Sequence, residues 1–269
     1  MIVDAHLHCS GSEDAEDILG AMDVAKIDMA VLLAPMLTPC NRMRGAAALR
    51  QANQHLGEIV RGHPDRLVGF AVLDPLDSEA VRDLQIAVQE LGLRGLKLVP
   101  SGWYPYDESA HRIYECASRF RIPILFHSGI FIDGRSGRFC RPVFFEALRE
   151  HPSLKVTLAH LGWPWCDEAN AVGVIDLING LRPDECQFRF DISFGPPPAY
   201  RLEVLQKALA VLGAGLLQFG SDRFLPCTGH TLVDAIQQVN QLFSMLDLDE
   251  ASRSRIMGET AAHWLDLKE

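Results

Sequence analysis

Ile2-Val3-Asp4-Ala5-His6-Leu7-His8 is the stretch from which the rest of the chain is read. Its apolar start is that of a short buried strand. With a side-chain period of two, His6 and His8 leave one face of that strand and Leu7 leaves the other. Two neutral imidazoles converging at the edge of a parallel sheet are half of a divalent-metal site. A lone His-x-His pair is as readily surface decoration. The metal reading therefore depends on whether other strand ends bring the missing ligands.

Working outward, apolar segments at 27–34, 67–73, 95–99, 122–126, 154–159, 187–192 and 216–219 read as further strands. Each is followed by a stretch with helical spacing. Ser12 and the acids after it predict a helix start running to about Lys26, with Ile18, Leu19 and Met22 on one face. Between 78 and 91, Val81, Leu84, Ala87, Val88 and Leu91 share a face. Further helices are expected up to Gly62, over 108–120 and 200–212, and as a closing pair from Thr231 onward. Eight strand–helix units with near-continuous apolar strands in 269 residues predict a single (β/α)8 TIM barrel spanning 1–269. Phosphate-binding alternatives fail on their spacing. Gly213-Ala214-Gly215 precedes a strand instead of following one, and Gln218 stands where a third glycine belongs. Walker-type loops and GxSxG elbows are absent from the sequence.

Composition narrows the function classes. Hydrophobic residues make up 48% and charged ones 22%, an ordinary globular mix. A net charge of −10 disfavours nucleic acid and anionic membrane surfaces as partners. No apolar run reaches the roughly 20 residues that span a bilayer, and the first residues enter a strand directly. The seven cysteines are scattered without a CxxC, which fits neither a disulfide framework nor a zinc ribbon. A cytoplasmic location is the expectation. Cys9 follows His8 but points off the His6/His8 face, which reads as a buried thiol.

In a barrel of this kind the strand C-termini converge on one mouth, where active sites sit. Polar residues end several strands here: Lys97 near the end of the fourth, His127 after the fifth, His160 after the sixth and Asp222 after the eighth. Each follows an apolar run, an expensive place for a polar group without a partner.

Asp4-Ala5-His6-Leu7-His8, Gly95-Leu96-Lys97-Leu98, His127-Ser128-Gly129, Leu158-Ala159-His160-Leu161-Gly162 and Phe219-Gly220-Ser221-Asp222 resemble the amidohydrolase superfamily. The resemblance is strongest to the amidohydrolase 2 branch, with its aminocarboxymuconate-semialdehyde and resorcylate-type decarboxylases and its lactonases. It runs essentially end to end, and 256–261 resembles that family's last helix. It implies one divalent metal, usually zinc, held by His6, His8, His127 and Asp222, with manganese, iron or cobalt acceptable to the same ligands. It further implies Asp222 as acceptor of the proton of an attacking water and His160 as a shuttle or oxyanion support. Lys97 is expected to bind a substrate carboxylate or carbonyl. The alternative, known from binuclear relatives, is a carbamylated Lys97 bridging two metals. The expected reaction is hydrolysis of an ester, lactone or amide of a small carboxylated compound. Decarboxylation of a hydroxy-aromatic or muconate-like acid is the alternative, and a homodimer is the family-based expectation.

Three further residues are expected to bind substrate. Arg141, with Arg135 and Arg138, lies in a glycine-bearing loop after the fifth strand, and a guanidinium fork suits a carboxylate. Trp103, with Tyr104 and Tyr106, offers an apolar wall for a ring. Arg223 stands where relatives often carry an aromatic residue, which hints at an anionic substrate.

Overall fold

The computed structural model describes residues 1–193 and 195–267. Strands β1 (Val3–His8), β2 (Met29–Leu33), β3 (Leu67–Val72), β4 (Gly95–Leu98), β5 (Ile124–Phe126), β6 (Val156–Leu158), β7 (Phe188–Asp191) and β8 (Leu217–Gln218) each pair in parallel with the next. A short β9 (Arg223–Phe224) pairs with β1 on its other side. Because β9 continues the path of β8 past residues 219–222, this pairing closes the ring. Phe219 O accepts from Ala5 N at 3.1 Å, His6 O from Asp222 N at 2.8 Å and His8 O from Leu225 N at 2.8 Å. The chain is thus a closed (β/α)8 barrel, the architecture its sequence predicts.

Every residue of β1, β3, β4, β5, β6 and β7 is buried, as expected for strands covered on both faces. Register decides which residues look inward. Lys97 pairs with Val72 and Leu125, so all three face the interior. Phe70 fills the layer below. Its ring comes within 2.2 Å of where a Cβ on its partner Gly95 would stand, so a side chain there would displace it.

Helices α1 (Ala15–Ala25), α2 (Ala46–Arg61), α3 (Ala80–Gln89), α4 (Glu108–Phe120), α5 (Cys166–Ile178), α6 (Pro198–Leu212) and α7 (Gly229–Met245) form the outer shell. The first begins later than its Ser12 signal suggested. The Glu13 carboxylate gathers the amides of Ser10, Gly11 and Ser12 into a turn, and Asp14 caps the helix instead by accepting from Asp17 N at 2.9 Å. Beyond β5 the outer layer is two 3-10 segments, Ser136–Phe139 and Pro142–Glu150, where an α-helix was expected. The chain ends with α8 (Glu250–Ser254), a π turn (Arg255–Glu259) and α9 (Thr260–Trp264). This closing run binds the barrel at its seam, where Phe219 N donates to Ile256 O at 2.7 Å. Among the described residues, no helix is long and apolar enough to cross a membrane.

Candidate metal centre

Three donors from the two strand ends at the barrel seam meet at one point. His6 Nε2 and His8 Nε2 lie 3.0 Å apart, and Asp222 Oδ1 is 3.4 Å from the first and 3.0 Å from the second. Ligand atoms held at about 2.0–2.1 Å by a tetrahedral zinc stand roughly 3.3 Å from one another. The protonation of the site agrees with that spacing. His6 Nδ1 lies 2.7 Å from Asp191 Oδ2, so the proton sits on Nδ1 and Nε2 keeps its lone pair. Burial, above all, pulls His6 down to about 4 and lowers His8 as well, so both rings are neutral at pH 7. The donor set therefore fits a divalent cation.

Asp191 is the residue that the sequence reading missed, although an aspartate ending an apolar strand, Phe188-Arg189-Phe190-Asp191, was there to be seen. One of its oxygens orients His6. The other accepts from His160 N at 2.9 Å, from Ser193 N at 3.0 Å and from the Ser193 hydroxyl. Burial works to raise its carboxyl, but His6 above all, and then His160, hold it well below the usual carboxylate range. With its own proton on Asp191, Ser193 Oγ accepts from His160 Nδ1 at 2.8 Å. That fixes the His160 tautomer and leaves Nε2 as an acceptor. Asp4 plays a parallel part on the outer side of β1. Its Oδ1 accepts from His6 N at 3.1 Å and Ser221 N at 2.9 Å, tying together the two segments that carry the donors.

His127 ends β5 in the same cavity but stands outside the group of three donors. Its Nε2 lies 3.0 Å from the Ile130 carbonyl, so Nε2 is protonated and Nδ1 is the nitrogen free to ligate. Lys97, only 1% exposed, puts Nζ 3.2 Å from His6 Nε2, and burial pushes it down to about 8. His160 and Asp222 adopt left-handed backbone conformations, φ 61° and 52°. Such strain in non-glycine residues is kept only where the surroundings impose it, and it gathers at functional sites. Gly129 is needed for the loop after β5. Its φ is +98°, and a Cβ would lie 2.0 Å from Trp163 O, the carbonyl that receives Ile130 N at 2.9 Å.

The donors floor a cavity of about 280 Å³ lined by His8, Lys97, His127, His160 and Asp222, with Met36, Leu37, Val99, Ile130, Phe131, Ile132, Trp163 and Phe224 as walls. Three expected substrate residues lie elsewhere. Trp103 is 2% exposed and packs in the core. Arg141 turns to the outside, paired with Glu168 and stacked 5.5 Å over Trp165, where it fastens the post-β5 segment to α5. Arg223 pairs in register with the outward-facing Leu7, so it lines a separate crevice with Ile192, Arg201 and Gln238. Its neighbour Phe224 pairs with His8 and stacks on that ring at 4.5 Å and 8°. Lys97 is the one arginine or lysine among the described lining residues.

The neutral histidines predict an acid-sensitive fold. A histidine whose pKa is lower in the folded protein than in the unfolded chain binds fewer protons when folded. Stability then falls as pH drops from 6.5 toward about 4, where His6 titrates. Each group contributes about 1.4 kcal/mol per unit of pKa difference. His8 and His127, also lowered by burial, add in the same direction. Asp4, raised by burial to about 6, opposes them. Urea midpoints of metal-free protein across this range should decline, and a flat profile would contradict the assignment of neutral rings.

A closed (β/α)8 barrel with a histidine–aspartate donor set at its mouth is the architecture of a metal-dependent enzyme. The sequence matches the model of the family described as Amidohydrolase over residues 3–267, and the chain belongs to that metal-dependent enzyme family. No curated protein matches the sequence. Among solved structures, a 2,6-dihydroxybenzoate decarboxylase from Rhizobium is 19% identical with a TM-score of 0.70, covering 99% of this chain and 98% of that one. A dihydroxybenzoic acid decarboxylase from Polaromonas, with manganese and the inhibitor 2-nitroresorcinol bound, is 18% identical (TM-score 0.69; 100% and 97% covered). A probable 2-pyrone-4,6-dicarboxylic acid hydrolase from Acinetobacter baumannii is 16% identical (TM-score 0.68; 99% of each covered). At these identities the likeness is one of fold.

Proposed function

We propose that this chain is a metal-dependent hydrolase of a small carboxylated compound, cleaving an ester, lactone or amide. The observation that carries this reading is His160, whose Nδ1 is committed to Ser193 and, through it, to Asp191, leaving Nε2 as a proton acceptor on a cavity-lining ring. That is the arrangement of a general base. His6, His8, Asp222 and, through Nδ1, His127 would hold the metal, zinc by the donor chemistry. A divalent cation in that set supplies Lewis-acid polarisation and a lowered water pKa.

The chain's own groups do the rest. Lys97, at the inner end of the cavity, holds the substrate's carboxylate or carbonyl oxygen. His160 takes the proton from the attacking water and returns it to the leaving oxygen or nitrogen. Asp222, one oxygen facing the histidines, is the second acceptor. The apolar walls favour a second reading, decarboxylation of a hydroxy-aromatic acid, because a carboxylate stripped of water there is closer in energy to neutral carbon dioxide.

Product analysis separates the two. Metal-loaded protein is incubated with lactones, aryl esters and carboxylated phenols, reading acid release and carbon dioxide. Acid without carbon dioxide is expected; carbon dioxide release would replace hydrolysis with the lyase reading. Metal analysis belongs to the same experiment. About one equivalent per chain is expected, whereas two would make His160 a ligand and Lys97 a carbamylated bridge.

A further inference from the structure

The cavity divides sharply into a polar floor and apolar walls. Its floor is His8, Asp222, His127, His160 and Lys97. Above it stand Met36, Leu37, Val99, Phe131 and Trp163, and the outer rim is Ile130, Ile132 and Phe224. The three rim residues are 52%, 62% and 50% exposed. Large side chains left in water around a single mouth mark a surface that an occupant covers. The rim is also anchored. Ile130 is held by its amide to Trp163 O at 2.9 Å and by its carbonyl to His127, and Phe224 lies flat on His8. No large rearrangement is needed to present this surface. The cavity volume of about 280 Å³ has room for about nine water-sized groups at roughly 30 Å³ each, the bulk of a single ring with one carboxylate.

We infer that the substrate is monoanionic and largely apolar, with one carboxylate-class head at Lys97 and the floor, and an apolar substituent running out over Ile130, Ile132 and Phe224. This rests on the reading of a small carboxylated substrate and narrows it. Arg141 and Arg223, the arginines that would have received a second anionic group, lie outside the cavity. A dicarboxylate whose second charge is too distant for both to reach Lys97 and the metal-binding floor would set that charge against isoleucine and phenylalanine.

Calorimetric titration of the metal-loaded protein with benzoate, its 4-methyl, 4-propyl and 4-pentyl derivatives, and benzene-1,4-dicarboxylate tests this without reference to turnover. Affinity is expected to rise about two- to fourfold per methylene, and the dicarboxylate should bind more weakly than 4-methylbenzoate. Ile132→Asp, a change at an exposed position, should flatten the chain-length dependence. Benzoate binding with no gain along the alkyl series, or a dicarboxylate that binds as tightly as the pentyl compound, would overturn the inference and leave the hydrolase reading standing. Failure of every carboxylate to bind would overturn both.

Discussion

Asp191→Asn is expected to lower metal affinity about 10- to 100-fold, the usual cost of losing a ligand's supporting partner, and to destabilise the fold by about 1–3 kcal/mol. The native carboxylate accepts on both oxygens, from His6 Nδ1 on one and from His160 N, Ser193 N and the Ser193 hydroxyl on the other. An amide has one accepting oxygen. If its NH2 faces His6, two donors meet and the imidazole must move its proton to Nε2, which removes the lone pair that a metal needs. If the NH2 faces Ser193 and His160, up to three donors lose their acceptor. Competition against a chromophoric chelator measures the first effect and urea unfolding the second. A folded variant with undiminished metal affinity would refute the role given to Asp191.

The second large effect is on turnover. His160→Asn should keep the metal and lose about 10²- to 10⁴-fold in rate, the range associated with a general acid–base. Asparagine is the appropriate replacement because it tolerates the left-handed φ of 61° at this position. Gly195 packs its backbone directly on this residue, since a Cβ on Gly195 would lie 2.2 Å from the His160 Cβ. Full activity in the variant would pass the proton-acceptor role to Asp222. Loss of metal would instead make His160 a ligand.

Both variants probe a supporting layer that was only partly legible in the sequence. The strand carrying His6 and His8 could be read from seven residues, because alternation is a local property of extended chain. The same holds for His127, His160 and Asp222, each following an apolar run that had to be buried. Asp191 also ends such a run, but its importance lies in what it touches. His6 is 185 positions away in sequence, and the two meet only because the barrel is closed.

What the sequence by itself determined is the barrel and the placement of the histidines and Asp222 at its mouth, since the period of the apolar residues specifies strands, helices and facing. What only the tertiary structure decided is which cations and rings reach the cavity. Arg223, which was expected at the substrate, is adjacent to Phe224, which the sequence did not single out. Pairing with Leu7 sends the arginine outward, and pairing with His8 sends the phenylalanine over the site. Arg141 and Trp103 were drawn away in the same manner, one by Glu168 and Trp165 and the other by the core. Loop side chains go where their long-range partners are, and register across a closed sheet is set by the whole ring of strands, so neither can be read from local periodicity.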